Sequence, residues 1–157
     1  MAKGPNYSLP YKRKRLSLTD YKKRLCLIKA EIPRLVLRKT NKKIIAQIIK
    51  FEPKSDKTVL GITSKELKKY GMEKPGKNLP SSYLTGYLIG KLALSKRVKN
   101  CVLDIGLNVS SKGNKFYAAL AGAIDAGLII PANKEVLPDI KRLRGEHIKG
   151  FNASIIE

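Results

Sequence analysis

The sequence predicts an α/β fold: a β-β-β-α-β-α sandwich with strand order 3-2-1-4, preceded by a basic arm and a short helix and followed by an extended C-terminal tail. Three observations predict it. Three β-branched or alternating runs lie between residues 33 and 63, divided by turn-forming residues. Two stretches with apolar residues at helical spacing, 80–98 and 115–126, flank one short apolar run at 100–105. Hydrophobic residues make up 43% of the 157, enough for a real core.

Residues 1–16, MAKGPNYSLPYKRKRL, read as an arm. Gly4, Pro5 and Pro10 break regular structure, and Lys12, Arg13, Lys14 and Arg15 repel one another, so the block is expected as a tail awaiting an anion. Tyr7 and Tyr11 are interleaved with the basic residues, as in arms that face RNA. A globular RNA-binding domain is expected over 17–130 and an extension over 131–157. Ser17 to Asp20 has the spacing of a capping box, with Asp in place of Glu. Tyr21, Leu25 and Ile28 then fall at i, i+4 and i+7 and predict a short helix with these three on its apolar face. Lys22, Lys23 and Lys29 lie off that face, and Pro33 ends the helix.

The first strand, 33–39, alternates: Arg34, Val36 and Arg38 on one side, Leu35, Leu37 and Lys39 on the other. Thr40-Asn41 makes a turn, 43–51 is a second strand, 52–56 a second turn, and 58–63 a third strand. Residues 65–70 suit a brief helical turn closed by Gly71, and 72–79 a loop. Pro80 opens a helix to about Val98, with Leu84, Leu88 and Leu92 as its apolar stripe and Gly86, Gly90 and Ala93 as a small-residue stripe beside it. Two mid-helix glycines cost about 1 kcal/mol each, so close approach of this helix to the sheet is expected to compensate. The strand at 100–105 returns through a right-handed crossover to lie parallel to the first. The helix at 115–126 carries Phe116, Ala119, Leu120, Ala123 and Ile124 on one face, and Gly127 suits its C′ position. Beyond Leu128, Pro131 and Pro138 predict an extended tail with a basic end at 141–144.

Charge narrows the function. The chain has 33 Lys+Arg against 12 Asp+Glu, a formal net charge of +21. A polyphosphate partner rewards that excess, because each phosphate contact releases condensed counterions. No apolar run reaches the roughly 18 residues of a spanning helix, no basic amphipathic helix with aromatic anchors suggests a membrane surface, and the first residues do not resemble a signal peptide. Cys26 and Cys101, both in apolar runs and far apart, read as buried reduced thiols, and His147 is the single histidine.

The element order also suits a metal-dependent nuclease, but such a site needs clustered carboxylates, and only Asp104 sits on a core strand. Asp104 is expected to accept a hydrogen bond or an arginine pair. No catalytic residues, cofactor, metal or small-molecule substrate are expected. The sharper signal is Ser110-Ser111-Lys112-Gly113-Asn114-Lys115, between a strand and a helix: hydroxyls, a flexible glycine and helix N–H groups make an anion site. The GxxxxGK[ST] pattern is absent, so RNA phosphate is the expected ligand.

GPNYSLPYKRKR, TDYKKRL, PRLVLRKTNKKIIAQII, SKELKKYG, YLTGYLIGKLAL, VLDIGL and FYAALAGAIDAGLIIP followed by GEHI occur in one order. Over roughly residues 4–150 the chain resembles the archaeal-type members of the large-subunit ribosomal protein family called L-eighteen in bacteria and archaea and L-five in eukaryotes. The resemblance implies a cytoplasmic protein of the large ribosomal subunit that binds 5S rRNA and attaches it to 23S rRNA in the central protuberance, beside a neighbouring 5S-binding ribosomal protein. It implies RNA contacts from the arm (Tyr7 to Arg15), from the first turn (Arg38, Lys39, Thr40, Asn41, Lys42) and from the 110–115 loop. Lys42 and Lys43 stand where the family often has a histidine. Lys22 and Lys23 are added as RNA-facing cations of the first helix. The alternatives from other classes are an RNA-processing enzyme or a general nucleic-acid chaperone.

Overall fold

Strict alternation sends Leu35 and Leu37 to one side of their strand and Arg34, Val36 and Arg38 to the other, and the whole architecture follows that division. The computed structural model describes residues 4–53, 55–72 and 76–148. Strands β1 (Arg34–Lys39), β2 (Ile44–Lys50), β3 (Lys57–Thr63) and β4 (Val102–Asp104) form one sheet in the order β3-β2-β1-β4, the order predicted. The first three make an antiparallel meander, with a register shift between Ile48 and Ile49 against β3. β4 is parallel to β1, with Arg34 opposite Val102 and Val36 opposite Asp104.

One face of the sheet is covered by α3 (Leu79–Ser95) and α4 (Lys115–Asp125). Leu35, Leu37, Ala46 and Ile48 are fully buried there with Ile89, Ala93, Ala119 and Ala123. Asn78 caps α3, its Oδ1 accepting from the Ser81 N–H at 2.9 Å, and Pro80 sits in the first turn, where no N–H partner is needed. The small-residue stripe of α3 meets α4, not the sheet as expected. A Cβ on Gly86 would overlap the Ala119 carbonyl, one on Gly90 would lie 2.5 Å from Ala126 Cβ, and one on Gly122 would overlap the Tyr83 carbonyl. Glycines on both helices therefore bring the two backbones together, while Leu84, Leu88 and Leu92 are only half-buried. Gly86→Ala should destabilise the protein by about 1–3 kcal/mol despite its better helix propensity, because backbone cannot yield as a side chain can. Gly61→Ala, whose Cβ would meet Gln47 Cγ at an ordinary 3.6 Å, is the control, and urea denaturation of both variants reads the difference.

The N-terminal elements depart from expectation. Lys12–Arg15 forms a single helical turn, α1, with the Arg15 N–H donating to the Tyr11 carbonyl at 3.0 Å. One turn spreads four cations around its circumference, and none of them is buried, so repulsion does not unwind it. α2 runs Tyr21–Ile28, and its cap is Asp20, accepting from the Lys23 N–H at 3.0 Å, so the helix starts later than a Ser17 capping box would place it. Tyr21 and Leu25 are exposed, and α2 buries no residue fully. Cys26 on this helix is exposed, contrary to expectation, whereas Cys101 is buried and its thiol is pushed up to about 11 by that burial. A 3-10 turn, Ser64–Tyr70, is closed by Gly71 at φ 91°, with Glu66 accepting from the Thr63 N–H at 2.9 Å.

After α4 the chain adds core residues Leu128 and Ile130, a 3-10 turn (Lys134–Val136) and α5 (Ile140–Arg144). Leu143 packs on Leu79, Ala118 and Ala121. The expected tail therefore carries two short helical turns, and one of them docks on the body through a single leucine. The last part of the expected extension, 149–157, lies outside the described residues.

Candidate nucleic-acid interface

The β1–β2 turn is closed by Thr40. Its N–H donates to the Lys43 carbonyl at 2.9 Å, and its Oγ1 accepts from the Lys43 N–H at 3.1 Å. The hydroxyl is thus spent on the turn, and Asn41 and Lys42 stand exposed at the tip. Lys39, the last residue of β1, reaches the start of α4, with its ammonium 5.7 Å from the Phe116 ring centroid.

The loop between β4 and α4 comes to the same place. Asn114 caps α4, its Oδ1 accepting from the Phe116 and Tyr117 N–H groups at 2.8 and 3.1 Å. Gly113 turns at φ 67° and donates its N–H to the Val136 carbonyl at 3.0 Å. Ser110 is hydrogen-bonded to the Tyr117 hydroxyl, and Ser111 and Lys112 are exposed. A cleft of about 480 Å³ lies between Lys39, the 107–116 loop and Arg142 of α5. Lys115 lines it half-buried. Burial first, then the positive charges of Lys77 and Lys39, hold its ammonium below the usual lysine range. A Lys115 ammonium repelled by two other lysines beside a helix N-terminus is a place where a bound anion relieves repulsion already present.

On the opposite face of the sheet, Asp104 has the arginine pairing expected of it, twice over. Arg34 Nη1 donates to Oδ2 and Arg38 Nη2 to Oδ1, each at 3.1 Å, and the Gly106 N–H donates to Oδ1 at 2.8 Å. Arg38 Nη1 also donates to the Asp104 and Leu37 carbonyls, both at 2.8 Å. Arg38 is thus tied into the fold while its side chain stays 40% exposed. Arg34 continues to Asp56, Nη2 to Oδ2 at 2.8 Å, and Arg24 of α2 holds both oxygens of Asp56 at 2.8 Å. Burial works against ionisation of Asp56, but the hydrogen bonds and charges of Arg24 and Arg34 outweigh it and keep the carboxyl below its ordinary 3.8. Beside Arg24 in α2, Lys23 Nζ donates to the Gly106 carbonyl at 3.1 Å. A second cleft, about 350 Å³, opens between Arg13, α2 and residues 106–108.

The turn and the loop are thus brought together, through Lys39, and Leu107 and Asn108 border both clefts. Arg13 and Lys23 join the second cleft, Arg13 with its guanidinium on Thr19 Oγ1 at 3.0 Å. Tyr7, Tyr11, Lys12, Lys14, Arg15 and Lys22 are exposed and line neither. Sequence reasoning missed Lys77, for which no pattern existed, and Arg142, whose basic run at 141–144 read only as the end of a tail. It also missed the pairing of Arg24 with Asp56, which looked like a turn residue.

A family model described as "Ribosomal large subunit proteins 60S L5, and 50S L18" matches residues 5–100 and 94–133. The chain belongs to this family. It is 50% identical over all 157 residues to the large ribosomal subunit protein uL18 of Haloferax volcanii, covering 85% of that protein. Against the protein of the same name from Korarchaeum cryptofilum the identity is 46%, over all of this chain and 80% of the relative. Against that of Haloarcula marismortui it is 47%, over all of this chain and 84% of the relative. A member of this family is a structural constituent of the large ribosomal subunit in the cytoplasm, working among ribosomal RNA, and not an enzyme.

Proposed function

We propose that this chain binds 5S rRNA and attaches it to 23S rRNA in the central protuberance, beside a neighbouring 5S-binding ribosomal protein. The observation that carries this reading is Lys115 in the first turn of α4, repelled by Lys39 and Lys77, with Lys39 reaching the start of the same helix, a setting that favours a bound anion. In this reading the 110–115 loop and the Asn41-Lys42 tip supply shape, and Thr40 and Arg38 hold that shape. Lys22, Lys23 and the arm, with Tyr7, Tyr11 and Lys12 to Arg15, supply charge and stacking surface. Residues 1–16 act as the RNA-facing arm, 17–130 as the binding body, and 131–157 as an extension that adds Arg142 to the cleft. An RNA-processing reading gains no support, because Asp56 and Asp104 are both occupied by arginines.

The test is to sequence RNA that co-purifies with the protein at moderate salt, then to titrate salt against binding of 5S rRNA and a control RNA of equal length. A dominant species of 5S size is expected. Changing Lys12, Arg13, Lys14 and Arg15 to Ala should weaken both RNAs alike and flatten the log–log salt dependence by roughly 0.7–0.9 per lost contact. Equal affinity of the unaltered protein for 5S and control RNA would overturn the reading.

A further inference from the structure

α2 is seated without a fully buried hydrophobic residue, Leu27 and Ile28 being only half-buried. None of its residues is fully buried, and Tyr21 and Leu25 face solvent. What ties it down at two points is polar: Arg24 grips Asp56 with bonds of 2.8 Å to each oxygen, and Lys23 Nζ reaches the Gly106 carbonyl at 3.1 Å. Asp56 is the keystone of the first point, because Arg34 holds the same carboxylate from inside the sheet at 2.8 Å with a guanidinium that is only 3% exposed. The buried end fixes where the carboxylate sits, and the carboxylate fixes where the helix sits. The Lys12–Arg15 turn lies on the N-terminal side of α2, and Arg13 is bonded to Thr19 just before that helix, so the direction of the arm follows that of the helix.

We propose that Asp56 is a positioning residue for RNA binding: through Arg24 it holds α2, and with it Lys22, Lys23 and the basic arm, in the orientation that presents them to RNA. The inference rests on the RNA-binding reading above. It predicts a sign that charge alone does not. Asp56→Asn raises the net charge of a polycation, which by itself tightens binding to a polyanion. If Asp56 positions the helix, the same change weakens binding, because correctly placed cations are traded for one added unit of distant charge.

The experiment uses the full chain and a 5S rRNA transcript. In RNA-free protein, Asp56→Asn should speed amide exchange across 21–28 while β1 and β2 keep their protection. It should weaken 5S binding about tenfold and flatten the salt dependence, as if phosphate contacts were lost. In a background with Lys12, Arg13, Lys14, Arg15, Lys22 and Lys23 all changed to Ala, the same substitution should leave affinity within about twofold, since nothing remains to be positioned. Arg24→Gln leaves Asp56 bonded to Arg34 and should speed exchange across 21–28 in the same way, so it carries the test if Asp56→Asn does not fold. Tighter binding by Asp56→Asn, equal losses in both backgrounds, or unchanged exchange across 21–28 in both variants would each overturn the proposal. Failure of the unaltered protein to prefer 5S rRNA would instead sink the functional reading, and the exchange result would still report on the seat of α2.

Discussion

Asp104→Ala is expected to lower the unfolding free energy by about 3–5 kcal/mol, the usual loss when one partner of a buried ion pair is removed and the other is left behind. The partner left behind is Arg34, whose side chain is 3% exposed beside an Asp104 side chain at 9%. Its Nε finds no acceptor among the described residues, and without Asp104 its Nη1 loses its acceptor too, leaving the Nη2 bond to Asp56 as the one that holds the guanidinium. The same substitution frees Arg38 Nη2 and the Gly106 N–H, which lose the oxygen that joins the β1 end to the loop after β4. Asp104→Asn keeps an oxygen for some of these donors and should cost less. Urea denaturation gives both values, and a loss below about 1 kcal/mol for Asp104→Ala would mean the pair behaves as a solvated surface bridge. Asp56 adds a pH dependence. Its carboxyl is held below the ordinary value, so its contribution is complete above about 3.8 and is lost as pH falls through the lowered value of the folded protein. Asp56→Asn should therefore flatten the acid limb of the stability profile.

Changing Lys39, Lys77 and Lys115 to Ala should move stability and RNA affinity in opposite directions. After burial, the charges of Lys77 and Lys39 are what hold Lys115 below the lysine range. Neutralising them removes that repulsion, so the free protein should melt no lower than the unaltered one, apart from the lost cover that Lys39 gives Phe116. Each contact to phosphate that disappears should cost about 1.5–3 kcal/mol of binding, with the salt slope falling by roughly 0.7–0.9 per contact. Changing Lys39 and Lys77 alone should raise the Lys115 titration toward its ordinary value, readable by NMR of the side chain. A triple variant that binds 5S rRNA as the unaltered protein does would remove this cluster from the interface.

Strand order and core-facing residues were legible because alternation and helical spacing are local: Leu35 and Leu37 declare their side of β1 without reference to anything distant. The stripe of Gly86, Gly90 and Ala93 announced a close approach but not its partner, since Gly122, on the other helix, lay in a different stretch of sequence. The face of α2 was misread because spacing of apolar residues ranks Tyr21, Leu25 and Ile28 first, whereas the real contact is Arg24 to Asp56, 32 positions away. Asp56 resembles any turn aspartate until Arg34 is seen beneath it. The two expected RNA segments could be named singly. Their meeting through Lys39 and Lys115 depends on β4 lying beside β1, and Lys77 enters that cluster from a stretch without periodicity.

The parallel pairing of β1 with β4 has a consequence for the protein as it is made. Arg34 and Asp104 are 70 positions apart, so the strand that aims the 106–115 loop reaches its place only after most of the chain has left the translating ribosome. The polycationic arm and the Asn41-Lys42 tip emerge long before. On the proposed RNA-binding reading, a nascent chain is adhesive to any nucleic acid before it owns the surface that would discriminate among them, and selectivity arrives with the closing of the last strand.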